Sequence, residues 1–254
     1  MVNYLYDCYQ VLNKVYSDGA YLKQAINTTP IEEKNKSLTV KTCYGVVERD
    51  IELSYYLKSL CPKSPKASVK LVLKISMYAI KYLEKKPYAV IDNAVSIIKK
   101  MGKTGVSGFV NAVLRKFVTQ KIDLPKNKIS NLSIKYSYPE FAVQELIDGY
   151  GEETAEKIMQ GDKELTTLVF ETPNAEDYLT EKGYSFTKLP YENAYIVNNF
   201  IRNADYDDGL YTYQGIGSLA ICDAVTNGET LYDCCSAPGG KSVRLSNKFT
   251  KYSG

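Results

Sequence analysis

The chain has 254 residues, of which 44% are hydrophobic and 24% are charged, and its formal net charge is +3. These proportions are ordinary for a globular protein, and no apolar run approaches the roughly 20 residues that a membrane span needs. The first ten residues lack the basic and then apolar pattern of a secretory signal. We therefore expect a cytoplasmic protein without a membrane partner.

The use of histidine and cysteine excludes several kinds of site. The chain contains no histidine, and its six cysteines form no C-x-x-C pair. A zinc site would need thiolates alone at unsuitable spacings, and a Ser-His or Cys-His nucleophile pair cannot form within the chain. We expect free thiols and no metal site.

Charge is distributed unevenly along the chain. Residues 1–128 contain 22 Lys and Arg against 10 Asp and Glu, whereas residues 129–254 contain 10 against 19. Such a split indicates two domains with different partners, and a basic domain is typical of proteins that bind nucleic acid. The alternative is a lysine-rich surface that is merely solvated.

Apolar patterns with helical spacing run through the first half of the chain. They cover residues 4–16, 38–60, 67–83, 88–100 and 108–118. The third pattern, ASVKLVLKISMYAIKYL, is apolar enough to predict the central helix of a bundle. No strand-like alternation interrupts this half, so we predict an all-helical bundle.

The pattern changes after the polar connection KIDLPKNKISN, residues 121–131, where we place a domain boundary. Residues 139–151 and 152–161 are typical of two short helices, each closed by a glycine. TTLVFETP, SFTKLP and AYIVNN have the composition of strands, and Asn174 is placed to cap a short helix that follows the first of them. We predict a small mixed α/β unit at residues 131–205.

Residues 206–254 carry a third pattern. LYTYQ predicts a strand, IGSLAICDAV a helix and ETLYD another strand, and a new helix should begin near Gly240. A doubly wound parallel sheet needs several such strands, covered on both faces. We expect this region to supply one strand and part of one helix of such a sheet.

The segment between that strand and helix, DCCSAPGGKS, has the layout of a ligand-binding loop. A P-loop would need glycine where Cys235 stands, and the dinucleotide pattern G-x-G-x-x-G is absent, since Gly239 and Gly240 are adjacent. Many folds that bind S-adenosylmethionine instead have an acid at the strand end, here Asp233, followed by small residues at alternate positions. Small side chains let the backbone approach a ligand. The alternative is a glycine-rich turn without a ligand.

DCCSAPGGKS is similar to the D-x-C-A-A-P-G-G-K-T signature of the RNA cytosine-5 methyltransferases. Three further segments resemble this family in the same order along the chain. GFVNAVLRKF resembles its NusB-like helix, KYSYPEFAVQEL the start of its middle domain, and GLYTYQGIGSLAICDAV its V-Q-D-E-S-S stretch. The resemblance covers the whole chain. Within the family, the chain resembles the RsmB or Sun group of bacterial 16S rRNA methyltransferases.

The resemblance implies three domains and one activity. The domains are a NusB-like helical RNA-binding domain at residues 1–128, a small α/β linker domain at 131–205, and the truncated start of a Rossmann-like methyltransferase domain at 206–254. The family transfers a methyl group from S-adenosylmethionine to carbon-5 of a cytosine in 16S rRNA. We therefore expect S-adenosyl-L-methionine as cofactor, 16S rRNA as partner, and a monomer.

Matching the signature residue by residue implies a set of cofactor contacts on the methionine and ribose side. These are Cys235, Ser236, Ala237, Pro238, Gly239, Gly240 and Lys241. Ser236 departs from the family's usual alanine, and the GIG at residues 215–217 departs from its acidic and small residues.

The family's catalytic cysteines lie after this loop, in Pro-Cys and Thr-Cys segments. No such segment follows residue 242 here, and neither Cys234 nor Cys235 is a suitable substitute, because Cys235 matches the cofactor loop and Cys234 should point into the sheet. We expect no catalytic residue in this chain, and an incomplete portion of a methyltransferase that is inactive alone.

For RNA contact we select the basic stretch at residues 99–128, which contains a single acid, Asp123. The selected residues are Lys99, Lys100, Lys103, Arg115 and Lys116. The rival interpretation of this stretch is a solvated helix face. A second hypothesis for the whole chain is a NusB-like RNA-binding or antitermination-type module without catalysis.

Overall fold

A computed structural model describes residues 4–161, 165–237 and 239–254 of the chain. They fall into two compact units, Met1–Gly161 and Asp162–Gly254. The first unit is helical, and the second contains a small sheet. None of the helices in the described residues combines the length and the hydropathy that a membrane-spanning segment requires.

The first unit is built from helices in succession, as the sequence predicts for its first part. Its helices are α1 Tyr4–Asp18, α2 Leu22–Asn27, α3 Glu33–Glu48, α4 Asp50–Leu60, α5 Ala67–Lys81, α6 Pro87–Lys100, α7 Ser107–Thr119, α8 Lys128–Tyr136, α9 Glu140–Tyr150 and α10 Glu152–Gln160. A short 3-10 turn, Thr104–Val106, precedes α7. The predicted all-helical bundle is confirmed.

Helix α5 lies at the centre of this bundle. It packs against α1, α3, α4, α6 and α7, and Leu73 and Met77 are fully buried. Complete burial of side chains of this size contributes about 1.5–3 kcal/mol each. A helix that is apolar on most sides is stable only when neighbours cover it, which is why this segment occupies the middle of the bundle.

The apolar pattern over residues 38–60 is divided between two helices rather than forming one. The backbone leaves the helical conformation at Arg49, with φ −97° and ψ 20°, and α4 begins at the next residue. The break places acidic side chains in the first turn of α4, where the helix dipole stabilises negative charge. Lys74 of α5 donates to Asp50 at 2.6 Å, and Lys81 donates to Glu52 at 2.5 Å.

Helices α8 to α10 belong to the helical unit, although the predicted boundary near residues 121–131 separates them from it. Helix α8 packs against α4, and the Glu52 amide donates to Ser137 Oγ at 3.1 Å. The three helices also share a small core of their own, which includes Leu132 and Val143. These contacts explain why the first compact unit extends to Gly161.

The second unit contains a four-stranded antiparallel sheet in the order β2-β3-β1-β4. Its elements are β1 Thr167–Phe170, α11 Ala175–Glu181, β2 Phe186–Lys188, β3 Ala194–Val197 and β4 Tyr211–Tyr213. Leu168 of β1 lies opposite both Tyr195 and Tyr213. The sheet therefore crosses residue 206, where the sequence predicts the start of another domain.

The chain continues through α12 Ile216–Ala224, β5 Gly228–Tyr232, α13 Gly240–Ser246 and β6 Phe249–Ser253. Strands β5 and β6 pair in parallel, with Thr230 opposite Lys251. The expectation of one strand and part of one helix was therefore too small, because β5, α13 and β6 form a βαβ unit. Two strands do not define a doubly wound sheet, so the Rossmann-like assignment stays a prediction.

Candidate functional site

The predicted cofactor loop joins β5 to α13, at the carboxyl end of β5. Gly239 has a φ of +105°, a conformation that only glycine adopts readily, and its amide donates to the Ser236 carbonyl at 2.6 Å. The Asp233 amide donates to the Ser253 carbonyl at 2.8 Å, which extends the pairing of the two strands. Pro238, a predicted cofactor contact, lies outside the described residues.

The Asp233 carboxylate organises the loop by accepting three hydrogen bonds. Tyr252 Oη donates to its Oδ2 at 2.8 Å and Ser242 Oγ donates to the same oxygen at 3.2 Å, while the Cys235 amide donates to Oδ1 at 3.0 Å. The bond from Tyr252, then that from Cys235, lowers the pKa of Asp233 below its ordinary value, and the charge of Lys241 adds to this effect. The carboxylate therefore ties both ends of the loop to β6.

The loop leaves open space at the start of α13. Apart from its chain neighbours and the backbone of its own helix, a Cβ atom added to Gly239 or Gly240 would meet no atom of the described residues within 4 Å. The side chains of Cys235 and Ala237 are exposed, and Lys241 is half-buried. Small side chains, a tight turn and free space are what a nucleotide-like ligand needs at a strand-to-helix turn, so these residues fit S-adenosylmethionine.

Two polar side chains outside the motif join the residues at either end of α12 to the segment that contains α13. Gln214, only 7% exposed, donates from Nε2 to the Gly240 carbonyl at 2.9 Å. Lys248 donates from Nζ to the Cys222 and Val225 carbonyls at 2.8 and 2.9 Å, at the end of α12. Sequence reasoning missed both roles, although Gln214 lies in the segment that resembles the V-Q-D-E-S-S stretch.

The cysteines divide into buried and exposed sets. The buried ones are Cys8, Cys43, Cys61 and Cys222, and the exposed ones are Cys234 and Cys235. Burial raises the pKa of the Cys8 thiol well above its ordinary value, and such a thiol is inert. Within the described residues, no group of three or more Cys, Asp and Glu side chains is arranged to hold a metal ion.

The predicted RNA-binding residues do not share one environment. Lys100 Nζ lies 3.7 Å above the Tyr6 ring of α1. Lys103 is hydrogen-bonded to Ser68, at the start of α5.

The last two predicted RNA contacts are on α7. Arg115 donates from Nε to Asn111 Oδ1 of the same helix at 3.3 Å. Lys116 lies near the end of α4, where its charge partly offsets the increase that burial causes in the pKa of Cys61. Lys103 and Lys116 therefore both lie beside the segment that joins α4 to α5.

The NusB family model matches residues 2–119 of the chain, which include α1 to α7. The match covers the helical bundle that is built around α5.

Curated proteins from several bacteria are similar to the chain over most of its length. A Bacillus subtilis (strain 168) protein named "Probable ribosomal RNA small subunit methyltransferase B" is 31% identical over 92% of this chain and 56% of its own length. The ribosomal RNA small subunit methyltransferase B of Proteus mirabilis (strain HI4320) is 23% identical over 85% of this chain and 54% of its own length. The chain thus spans about half the length of these relatives.

A solved structure, the crystal structure of PH0851, has a similar fold. It superposes with a TM-score of 0.64 and 16% sequence identity, covering 100% of this chain and 63% of the other.

Proposed function

We propose that this chain serves in the methylation of ribosomal RNA. Its residues 2–119 match the NusB family model, and most of its length is similar to proteins named ribosomal RNA small subunit methyltransferase B. The reaction is transfer of a methyl group from S-adenosylmethionine to carbon-5 of a cytosine in 16S rRNA, in the cytoplasm. In this proposal, the helical part binds RNA and the β5–α13 loop holds the cofactor. The RNA contacts proposed are Lys99, Lys100, Lys103, Arg115 and Lys116.

The observation that carries the proposal is the geometry of the β5–α13 loop. Asp233 is fixed at the end of β5 by three hydrogen bonds, and Gly239 makes the tight turn into α13. When bound, S-adenosylmethionine supplies the methyl group. Residues 235–241 would hold its methionine and ribose side, and Lys241 would supply a positive charge to the carboxylate of the methionine.

The cysteines of this chain do not provide the attacking thiolate of the reaction. A cysteine nucleophile must be exposed and reach the base, and four of the six thiols are buried. Cys235 belongs to the proposed cofactor loop. Cys234 is exposed rather than directed into the sheet as the sequence predicts, but it lies in the same turn as Cys235, at the proposed cofactor site rather than at a site for the base. We therefore propose that the 254-residue chain alone transfers no methyl group to 16S rRNA. Incorporation of labelled methyl from S-adenosylmethionine by the purified chain would contradict this.

The cofactor site is tested with Gly239→Val. Valine is strained at a φ of +105°, so the turn should open and the cofactor contacts should be lost. Saturation-transfer NMR with S-adenosylmethionine detects weak binding, and we expect its signals for the wild-type chain and not for the variant. Gly209→Val is the matched control, because Gly209 also has a positive φ, +77°, and also has no atom within 4 Å of an added Cβ.

The outcome separates the two hypotheses for the chain. Equal signals from both variants would show that the loop is not the cofactor site. If the wild-type chain binds 16S rRNA but gives no signal with S-adenosylmethionine, the NusB-like RNA-binding module without catalysis is the better description.

A further inference from the structure

A cleft of about 420 Å³ lies in the helical unit where α4 ends and α5 begins. Two buried residues, Leu57 and Cys61, give the cleft an apolar floor, and Pro65, Lys58 and Lys70 also line it. We refer to it as the α4–α5 cleft. A volume of this size falls within the roughly 300–1,000 Å³ of clefts that hold small molecules.

Four lysines around the α4–α5 cleft have no acidic partner among the residues that the structure describes. Residues 53–83 contain six lysines and no Asp, Glu or Arg. Two of them are neutralised, because Lys74 pairs with Asp50 at 2.6 Å and Lys81 with Glu52 at 2.5 Å. The others are Lys58, Lys63, Lys66 and Lys70, and none forms an ion pair with any residue that the structure describes.

Two further cations reach this surface from other helices. Lys103 is hydrogen-bonded to Ser68 in the first turn of α5, and the charge of Lys116 acts on Cys61 at the floor of the cleft. The nearby acid Asp123 pairs with Lys121 at 3.4 Å, and its carbonyl accepts from Tyr55 Oη at 2.7 Å. The positive charge at the cleft is therefore drawn from three segments that are distant in sequence.

We infer that the α4–α5 cleft binds one unstacked nucleotide of single-stranded RNA, with neighbouring phosphates on the surrounding lysines. This inference rests on the proposed RNA-binding function and names residues that the sequence prediction did not include. Lysines without acidic partners match the charge of a phosphate backbone. The apolar floor gives a base or ribose a surface that a duplex, whose bases remain stacked, cannot use.

Glutamine replacement at the four cleft lysines, Lys58, Lys63, Lys66 and Lys70, tests the inference in the full chain. The matched control replaces four exposed lysines of the same unit that also have no ion pair, namely Lys23, Lys41, Lys85 and Lys86. The probe is a labelled uridine oligonucleotide of about 12 nucleotides, a length in the range that single-strand binders cover. Binding is measured between about 50 and 200 mM salt, where phosphate contacts dominate the affinity.

The cleft variant should lose affinity and have a flatter salt dependence. Each lost phosphate contact reduces the slope of log K against log salt by about 0.7 for single strands, so loss of four contacts reduces it by about 2–3. The control variant should keep the wild-type slope within about 0.7. Ser64→Phe, which narrows the cleft at an exposed lining position without changing its charge, should weaken binding and leave the slope unchanged.

The results distinguish failure of this inference from failure of the proposed function. A wild-type chain that binds no RNA would overturn RNA binding as such. If the chain binds the oligonucleotide but both glutamine variants lose equal affinity, the cleft is not the site. Equal competition by an RNA duplex of the same length, or by a polyglutamate peptide, would also overturn the inference, since it would show that the surface recognises any polyanion.

Discussion

The helical bundle and the β5–α13–β6 segment are held together in different ways. In the bundle, α5 is covered on most sides, and side chains such as Leu73 and Met77 are fully buried. In the βαβ segment most strand positions are exposed, including Tyr232 at 75%, and hydrogen bonds to Asp233 join loop to strand. Unpaired surface charge in the bundle is therefore not needed for its packing, whereas a change at Asp233 or Tyr252 should alter the structure of the loop itself.

We expect the largest change in stability in the packed bundle, at Gly45 in α3. A Cβ added there would lie 1.9 Å from the hydroxyl of Tyr78, which is buried in α5. Gly45→Ala should therefore destabilise the chain by about 1–3 kcal/mol, the usual cost of overpacking, although alanine favours helices. Urea unfolding followed by circular dichroism measures this.

Gly108→Ala is the control for that substitution. Gly108 is in α7, and an added Cβ would meet no atom within 4 Å. We expect it to leave the free energy of unfolding unchanged or to raise it by up to about 1 kcal/mol, the difference in helix propensity. If both alanines had the same effect, close packing of α3 on α5 would not be what distinguishes the bundle.

The helices show which parts of the fold the sequence could predict. The apolar spacing in α1, α5, α6 and α7 predicts those helices because burial of one face or of the whole helix decides their formation. The break at Arg49 was not predicted. The acidic residues that follow it, Asp50 and Glu52, pair with Lys74 and Lys81 of another helix. Local patterns contain no information on such distant partners.

The candidate sites likewise include features that local sequence patterns predict and features that depend on distant residues. The loop from Asp233 to Lys241 could be found because its residue types and spacing are local, and their role in binding a cofactor stays a prediction. The contribution of Tyr252 was missed, because its strand β6, although aromatic and β-branched, was not recognised in the sequence. The α4–α5 cleft was missed because the charge of Lys116 acts on Cys61 only when α4 and α7 pack together.

A smaller loss of stability is expected from a substitution at the start of α8 in the helical unit. Asn127 caps this helix, since its side chain accepts a hydrogen bond from the Ser130 amide at 3.0 Å. Asn127→Ala should lower the free energy of unfolding by about 1 kcal/mol, the typical cost of a lost cap. Urea unfolding monitored by circular dichroism is again the measurement.

Asn174 provides the matched comparison in the second unit. It stands at the cap position of α11, as the sequence predicts, but its side chain makes no capping hydrogen bond. Asn174→Ala should therefore change stability by less than about 0.5 kcal/mol, as for surface positions without such a contact. A loss equal to that of Asn127→Ala would mean that the cap position itself, and not the hydrogen bond, supports these helices.

The titration of Asp233 should affect only the loop between β5 and α13 and the strand β6 that it contacts. Because hydrogen bonds lower its pKa in the folded loop below the ordinary value of 3.8, the carboxylate stabilises the loop fully above about pH 4. This contribution is lost as the pH falls through the lower, folded-state pKa. The chemical shift of the Cys235 amide, which donates to this carboxylate, should stay constant above about pH 5 and move only below the ordinary pKa of aspartate.

Tyr252→Phe sharpens that measurement, since the hydroxyl of Tyr252 is the main cause of the low pKa. The variant should move the midpoint of the Cys235 shift upward, toward the ordinary value, and leave the spectra of the helical unit unchanged. Tyr232→Phe, at a largely exposed tyrosine of the neighbouring strand, should leave the midpoint where it is. A wild-type midpoint at or above 3.8 would show that the carboxylate does not hold the loop, and the contrast with the packed bundle would then need another physical basis.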